Sequence, residues 1–231
     1  MQSSDRKTVF VAQQVGEKSL SAEISTLIGG KIIRNELKEG ERILEAKVSK
    51  DLGVSQSSLR EALRILEREG LVETLPRHGT YVTKITPDEV DALYDLLAEI
   101  YVIAARRLYE KQDGAAIAGL EKTLIPVEKS GGVEDLYDAM FSLIMKALEL
   151  AGSAILIKTA LDLLPTKRRI EYRSLSAREK DLSSPLTHLK NIRAFLLKND
   201  IKGISSEIRL FLGEEKKFAL SIFSESSDRK R

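Results

Sequence analysis

The spacing of hydrophobic positions changes twice along the first third of the chain. Apolar residues at helical spacing predict three helices, over about residues 21–37, 44–52 and 55–69. The runs LVETL (71–75) and TYVTK (80–84) favour two β-strands, and Pro-Arg-His-Gly between them favours a hairpin loop. The stripe expected to be buried in the third helix comprises Leu59, Ala62, Leu63, Ile65 and Leu66. The order is therefore helix, helix, turn, helix and a two-stranded wing.

Beyond Thr86 the pattern is helical throughout. Thr86, Pro87 and Glu89 fit an N-cap, a first helical residue and a capping-box partner, so a helix is predicted to begin here. The predicted helices span 87–111, 115–129, 133–150, 153–174, 179–198 and 201–224, with a break or kink at Pro165. The expected fold is mainly α: an N-terminal winged helix-turn-helix domain with a small β-hairpin, followed by an all-α helical bundle domain.

These patterns also predict where the domains begin and end. Residues 1–18 are polar and unpatterned and are expected to be a flexible extension. The winged helix-turn-helix domain is predicted over 19–85 and the all-helical domain over 86–225, with a frayed tail at 226–231.

Composition narrows the function classes. Of 231 residues, 42% are hydrophobic and 31% are charged, which allows a buried core. The lack of cysteine excludes structural disulfides, thiolate metal sites and thiol catalysis. No apolar run reaches the ~18 residues of a membrane span and the N-terminus does not match a signal peptide, so a cytoplasmic protein without membrane contact is expected. Two histidines, and glycine pairs without a phosphate-loop context, favour a protein that is not an enzyme.

The third predicted helix carries residues suited to contact DNA. The net charge of +2 is too small to identify a partner, so a nucleic-acid binder would need its positive charge arranged locally. In a helix-turn-helix, the second helix enters the major groove through its N-terminal residues. Short hydroxyls contact phosphates, glutamine pairs with adenine, and arginine pairs with guanine or phosphate. The expected contacts are Ser55, Gln56, Ser57, Ser58, Arg60 and Arg64 on the helix, with Arg77 and His78 at the wing tip.

Alternatives remain open at this point. The helix over 55–69 also fits an ordinary amphipathic helix with solvated charges, and His78 fits an exposed loop histidine without a role. A winged-helix fold used for protein–protein contact would favour an acidic or apolar exposed face, whereas this face carries Ser, Gln and Arg. An enzyme built on the bundle would need a buried polar cluster, which the sequence does not indicate. The basic cluster 167–169 is expected to face solvent, although DNA or a ligand carboxylate could also contact it.

The segment 43–86 resembles the winged helix-turn-helix domain of GntR-family transcription regulators. The motifs that carry this resemblance are Glu45, Leu52-Gly53-Val54-Ser55, Leu59-Arg60-Glu61-Ala62-Leu63, Leu66, Glu69-Gly70-Leu71-Val72 and Gly79-Thr80-Tyr81-Val82. The resemblance adds Gly79 to the expected DNA-contacting residues. One position departs from the family pattern: Gln56 stands where arginine is common. This difference implies an operator that has adenine where related proteins read guanine.

The helical domain carries Tyr94, Ala104-Ala105, the run Asp138-Ala139-Met140-Phe141, and Thr187-His188 followed by Asp200. In these residues it resembles the FCD domain of the FadR subfamily, which implies an effector-binding and dimerisation domain. In many such domains an Asp and three His hold a divalent cation, which in turn binds a carboxylate effector. Matched by position, Asp138 and His188 remain, whereas Ser142 and Phe211 replace two of the histidines. Because two ligands are too few for a secure zinc site, the ligand set implied by the family is incomplete and no cofactor is assigned. A divalent metal held by Asp138 and His188 stays open as an alternative. The alternatives are a solvated Asp138 and a His188 that is hydrogen-bonded within the bundle.

Together these features predict a homodimeric regulator that binds double-stranded DNA at a palindromic operator and acts as a repressor. Its operator binding would be modulated by a small, largely apolar effector, to which Asp138, Ser142, His188 and Phe211 are assigned. The alternative is a winged-helix protein–protein interaction module with a helical scaffold domain and no effector. The sequence specifies neither the operator, the regulated genes nor the effector.

Overall fold

The computed structural model describes residues 19–111, 113–128 and 130–228. The chain divides into two compact units, Met1–Ile85 and Thr86–Arg231. The expected flexible extension, residues 1–18, lies outside the described residues, as do the last three residues of the expected tail. None of the helices in these described ranges combines the length and the apolar character that crossing a membrane requires.

The first unit combines three helices with a three-stranded antiparallel sheet. Its elements are α1 (Leu20–Ile33), β1 (Arg42–Ile43), α2 (Glu45–Leu52), α3 (Gln56–Arg68), β2 (Val72–Leu75) and β3 (Gly79–Val82). The strand order is β1-β3-β2, so β3 lies in the middle of the sheet. The register pairs Arg42 with Tyr81 in one ladder and Thr74 with Thr80 in the other. The predicted class, mainly α with a winged helix-turn-helix, is confirmed.

Local signals fix the ends of α2 and α3. Gly53 ends α2 with a φ of 65°, the left-handed conformation that glycine adopts without a Cβ penalty. Ser55 then caps α3, because its Oγ accepts a hydrogen bond from the Ser58 backbone N–H at 3.1 Å. The inner face of α3 supplies the centre of the core through Leu59, Ala62, Leu63 and Leu66. The outer face of α3 is thereby presented to solvent in a fixed orientation.

Two details of this unit differ from the prediction. The first helix ends at Ile33 rather than near residue 37, although Leu37 still packs against the core. The strand β1 was not predicted, because its two residues lie between the first two predicted helices and show no strand pattern. It forms because it pairs with β3, and the two residues just before it continue this pairing: Gly40 N–H donates to Val82 O and Val82 N–H donates to Glu41 O, both at 2.9 Å.

The second unit is helical over its described residues. Its elements are α4 (Pro87–Glu110), α5 (Gly114–Glu128), α6 (Val133–Ala151), α7 (Ala154–Ala177), α8 (Ser183–Leu197) and α9 (Ile201–Asp228). The capping box at Thr86 is confirmed, since Thr86 Oγ1 accepts from Glu89 N–H and Glu89 Oε2 accepts from Thr86 N–H. Helix α4 packs along α9, and α5, α6, α7 and α8 pack around this pair. The result is a bundle that encloses an interior.

The prediction was wrong at three places in this unit. Helix α7 continues through Pro165 to Ala177 without a break, and Pro165 is itself buried. Helix α8 begins at Ser183 rather than at residue 179. The basic cluster 167–169 does not face solvent: Lys167, Arg168 and Arg169 are only 6%, 3% and 4% exposed. Burying charge requires partners, and partners contributed by other helices cannot be read from the cluster itself.

Candidate nucleic-acid interface and ligand cavity

The N-terminus of α3 presents polar groups to solvent. Gln56 and Ser57 are exposed in its first turn, whereas Ser58 is half-buried. Besides capping the helix, the Ser55 hydroxyl shares a 2.9 Å hydrogen bond with that of Ser58. The first backbone N–H groups of a helix have no partner within it, and the positive end of the helix dipole lies there. This turn is therefore suited to a phosphate, with two hydroxyls held in place beside it.

A basic stripe continues from this turn along the outer face of α3. We use this name for Gln56, Arg60, Arg64 and Arg68, which are exposed and follow one another at intervals of four residues. Like charges at this interval repel one another, so the stripe does not stabilise the isolated helix. Arg68 was not among the predicted contacts, although the four-residue spacing alone could have identified it. An arrangement of this kind is suited to an extended anionic partner.

Arg60 is oriented by a residue of α2. Its Nε donates to Glu45 Oε2 at 2.9 Å, and its side chain remains 63% exposed. The contact uses Nε and leaves the two terminal nitrogens available. These two nitrogens make no hydrogen bond within the described part of the chain. They form the end of the guanidinium that pairs with guanine or a phosphate. Glu45 is one of the residues in the family motifs, but the sequence did not predict its pairing with Arg60.

The wing tip adds further positive charge. Arg77 and His78 are exposed in the turn between β2 and β3, where Leu75 O accepts from His78 N–H at 3.0 Å. Arg77 has a φ of 66°, a left-handed conformation that is uncommon for a residue with a Cβ. Gly79 follows with a φ of 100°, and a Cβ there would lie 3.2 Å from Nε of Arg42. Arg42, which the sequence did not single out, therefore lies against the wing turn.

The second unit encloses a mainly apolar cavity of about 130 Å³. Aliphatic and aromatic side chains from α4, α5, α6, α8 and α9 line it, and among the described residues α7 contributes Lys167 and Glu171. Tyr94 and Tyr101 line the same space, and burial raises the pKa of both, so both remain neutral hydroxyls. The cavity thus combines a large apolar lining with a small polar region.

The four residues assigned to an effector occupy different environments. Phe211 lines the cavity. Asp138 and Ser142 are exposed on α6, where the Ser142 hydroxyl donates to the Asp138 carbonyl at 2.9 Å. His188 is buried beside Phe211, with ring centroids 5.2 Å apart. Asp138, Ser142 and His188 are not among the cavity-lining residues that the structure describes.

Both ring nitrogens of His188 are engaged by carboxylates of α9. Nδ1 lies 2.7 Å from Glu207 Oε1 and Nε2 lies 3.0 Å from Glu214 Oε2. Burial lowers the pKa of His188, but the hydrogen bonds and charges of Glu214 and Glu207 outweigh this effect and raise it overall. A histidine that binds a metal needs a ring nitrogen with a free lone pair, which this arrangement does not offer. Nor do three His, Asp or Glu side chains come together as a cation site in the described ranges.

The first unit matches a known protein family. Residues 20–82 match the family model of bacterial regulatory proteins, gntR family. Over 106 residues the chain is 36% identical to the uncharacterized HTH-type transcriptional regulator YdhC of Bacillus subtilis, covering 45% of this chain and 47% of that protein. The chain thus matches about half the length of this curated relative. The relatives found are transcriptional regulators and not enzymes.

Two solved structures share the fold across both units. E. coli McbR/YncC superposes with a TM-score of 0.68 at 18% identity, covering 90% of this chain and 99% of that chain. A putative transcriptional regulator GntR from Rhodococcus sp. RHA1 superposes with a TM-score of 0.69 at 16% identity, covering 87% and 97%. At these identities the similarity establishes the fold alone.

Proposed function

We propose that this chain, whose residues 20–82 match the family model of gntR-family bacterial regulatory proteins, is a sequence-specific DNA-binding transcriptional regulator of that family. The observation that carries the proposal is the basic stripe, which starts at the capped N-terminus of α3. The exposed basic wing tip belongs to the same unit. Its exposed Ser, Gln and Arg side chains favour DNA over the alternative of a protein–protein module. In this proposal Ser55, Ser57 and Ser58 contact phosphates, Gln56 and Arg60 read bases, and Arg64, Arg77, His78 and Gly79 support them.

We assign the finer features to the same proposal. The chain would be a cytoplasmic homodimer that represses transcription by occupying a palindromic operator. Its helical unit would be the FCD-like dimerisation and effector domain of the FadR subfamily, a proposal supported by its all-helical fold and its cavity. The apolar lining supports a largely apolar effector. Such an effector shifts operator affinity only by its differential affinity for the DNA-bound and free states.

The proposal is tested by selecting bound duplexes from a random DNA pool with the full chain. We expect an enriched palindrome whose half-sites contain adenine opposite Gln56. The Gln56→Arg variant should enrich guanine at that position, because Arg pairs with guanine N7 and O6. Arg106→Ala, an exposed arginine of α4 outside the proposed interface, is the matched control and should select the wild-type sequence. A pool that shows no enrichment with the wild type would refute sequence-specific binding.

A further inference from the structure

The cavity of the helical unit has a polar region whose chemistry restricts what it can hold. We infer that it binds an uncharged, ring-sized apolar molecule with one hydroxyl group, and that Glu171 accepts the hydrogen bond from that hydroxyl. The inference rests on the proposed effector role of the cavity and specifies the class of ligand. A phenol is the simplest molecule that has these properties.

The size and lining of the cavity set the apolar part of the ligand. Its volume is about 130 Å³. Dry cavities of about 150 Å³ lined by aliphatic and aromatic residues bind benzene. The lining here contains the same kinds of residue, such as Leu124, Met140 and Phe211. A single aromatic ring is therefore the appropriate size.

An unused acceptor sets the polar part of the ligand. Glu171 lines the cavity and is only 5% exposed. Lys167 Nζ donates to its Oε1, but its Oε2 is buried and accepts no hydrogen bond from the described residues. An unpaired buried acceptor is costly, and a charged one more so. A ligand that brings an O–H donor to Oε2 would remove this cost.

The balance of charge argues against an ionic ligand. The two buried carboxylates that line the cavity each have a cation: Lys167 pairs with Glu171, and Arg178 donates to both oxygens of Glu215 at 2.8 Å. Burial raises the pKa of Glu215 and Arg178 opposes the shift, and the two-pronged contact is that of a carboxylate with a guanidinium. A ligand carboxylate or ammonium would add a net charge without a partner in an apolar space. A neutral hydroxyl adds none.

The experiment is calorimetric titration of the full DNA-free chain with four para-substituted toluenes. The probes are p-cresol, p-xylene, 4-methylanisole and 4-methylbenzoate, which share a ring and one methyl group. We expect p-cresol to bind at one site per chain, about tenfold or more tighter than p-xylene and 4-methylanisole, since only p-cresol donates to the carboxylate. No saturable binding of 4-methylbenzoate is expected. Equal affinity for p-cresol and p-xylene, or a preference for the benzoate, would overturn the inference.

Two variants locate the binding. In Lys167→Met/Glu171→Met the ion pair is replaced by apolar side chains of similar size, a change that buried pairs often tolerate. This variant should bind p-xylene at least as tightly as p-cresol, so the preference for the hydroxyl is lost. In Ala147→Phe a ring fills the cavity, and the binding of every probe should be lost. Glu179→Gln changes an exposed carboxylate in the turn after α7, and this matched control should keep the wild-type preference. If the double variant kept the preference, Glu171 would not be the acceptor.

Failure of this inference is distinguishable from failure of the proposed function. Probe binding is measured without DNA, and operator selection is measured without probes. Selection of a palindrome without any p-cresol binding would support the DNA-binding proposal and refute only the ligand class. Binding of p-cresol without an enriched palindrome would support the ligand class and refute the DNA-binding proposal.

Discussion

At the scale of single residues, the geometry of Arg60 predicts a specific contact with a base of the operator. The bond from its Nε to Glu45 Oε2 at 2.9 Å fixes the plane of the guanidinium before any DNA arrives. Preorganising a contact lowers the entropy lost when the contact forms. We therefore expect Arg60→Ala to weaken binding to the selected operator by about tenfold to a hundredfold, the range for one specific base contact. The measurement is a gel-shift titration at moderate salt.

Glu45→Gln separates the orientation of Arg60 from its charge. This variant leaves the charge of Arg60 in place and removes only the ionic partner that orients it. We expect a smaller loss of operator affinity than for Arg60→Ala, with little change in affinity for unrelated DNA. Operator affinity that is unchanged by Arg60→Ala would contradict the assignment of Arg60 as a base contact.

Arg77 combines a strained backbone with an exposed charge at the wing tip. Its φ of 66° costs about 1 kcal/mol for a residue with a Cβ. Arg77→Gly relieves that strain and removes the charge, so we expect no loss of thermal stability but weaker DNA binding. The slope of log affinity against log salt should fall by about one, as for the loss of one phosphate contact.

Arg77→Ala is the control for the backbone change. It keeps the strained conformation and removes the same charge, so its DNA affinity should match that of Arg77→Gly. An Arg77→Gly variant with wild-type affinity and an unchanged salt slope would show that the wing tip does not contact the phosphate backbone.

At the scale of elements, local signals predicted the helix ends that carry a capping residue. Ser55 and Thr86 each cap a helix through a backbone N–H three residues on, and Gly53 takes the left-handed conformation that its position requires. These features depend only on neighbouring residues. The strand β1 is different, because Arg42 and Ile43 form it by pairing with Tyr81 and Thr80 far along the chain. Two residues carry no periodicity from which such a strand could be predicted.

Tertiary packing also explains why the helical unit was predicted less well. Pro165 does not interrupt α7, because packing against other helices can hold a helix through a local breaker. The burial of Lys167 depends on Glu171, one turn further along α7. That four-residue spacing is visible in the sequence, but on most helices the same pair lies in solvent. The cavity and its buried ion pair could therefore not be foreseen from the sequence.

The contact between α8 and α9 predicts a dependence of stability on pH. His188 has carboxylate oxygens at both ring nitrogens, so both nitrogens must carry protons for both contacts to form. Glu207 and Glu214 are the carboxylates facing it, and Asn191 donates to Glu207 from the same helix as His188. The charge of His188 also acts on Glu215, the residue directly after Glu214. The imidazolium form therefore holds the two helices together.

The direction in which stability changes with pH follows from the raised pKa of His188. The pKa of His188 is raised above its ordinary value of 6.5 in the folded chain. Its contribution to stability is therefore fully present below the unfolded pKa and is lost as pH rises through the folded pKa. We expect the stability advantage of wild type over His188→Gln, measured by thermal unfolding, to shrink as pH rises from about 6 to about 9.

The second histidine provides the matched control. His78→Gln changes an exposed wing residue and should not alter the pH dependence of stability. It also leaves a single imidazole, so the proton NMR titration of His188 can be assigned directly. A titration midpoint at or below the ordinary value for histidine would contradict the expected shift.

At the scale of the whole molecule, the proposed homodimer predicts that two chains bind one operator. A homodimer places two winged domains on two half-sites, so the symmetry of the protein is mirrored in the DNA. The half-sites must then be separated by about one helical turn, 10–10.5 base pairs, or a multiple of it. Inserting about five base pairs between them rotates one half-site to the opposite face of the duplex. We expect this insertion to remove high-affinity binding measured by gel shift.

Inserting about ten base pairs returns the half-sites to one face of the duplex. This insertion separates the effect of rotation from the effect of wider spacing. Affinity should partly recover if the helical units allow the wider spacing, and it should remain low if the dimer is rigid. In both cases light scattering of the complex with the unaltered operator should give two chains per duplex. Full affinity for the duplex with the five-base-pair insertion, or one chain per duplex, would mean that a single winged domain reads the site. The helical unit would then need a role other than dimerisation.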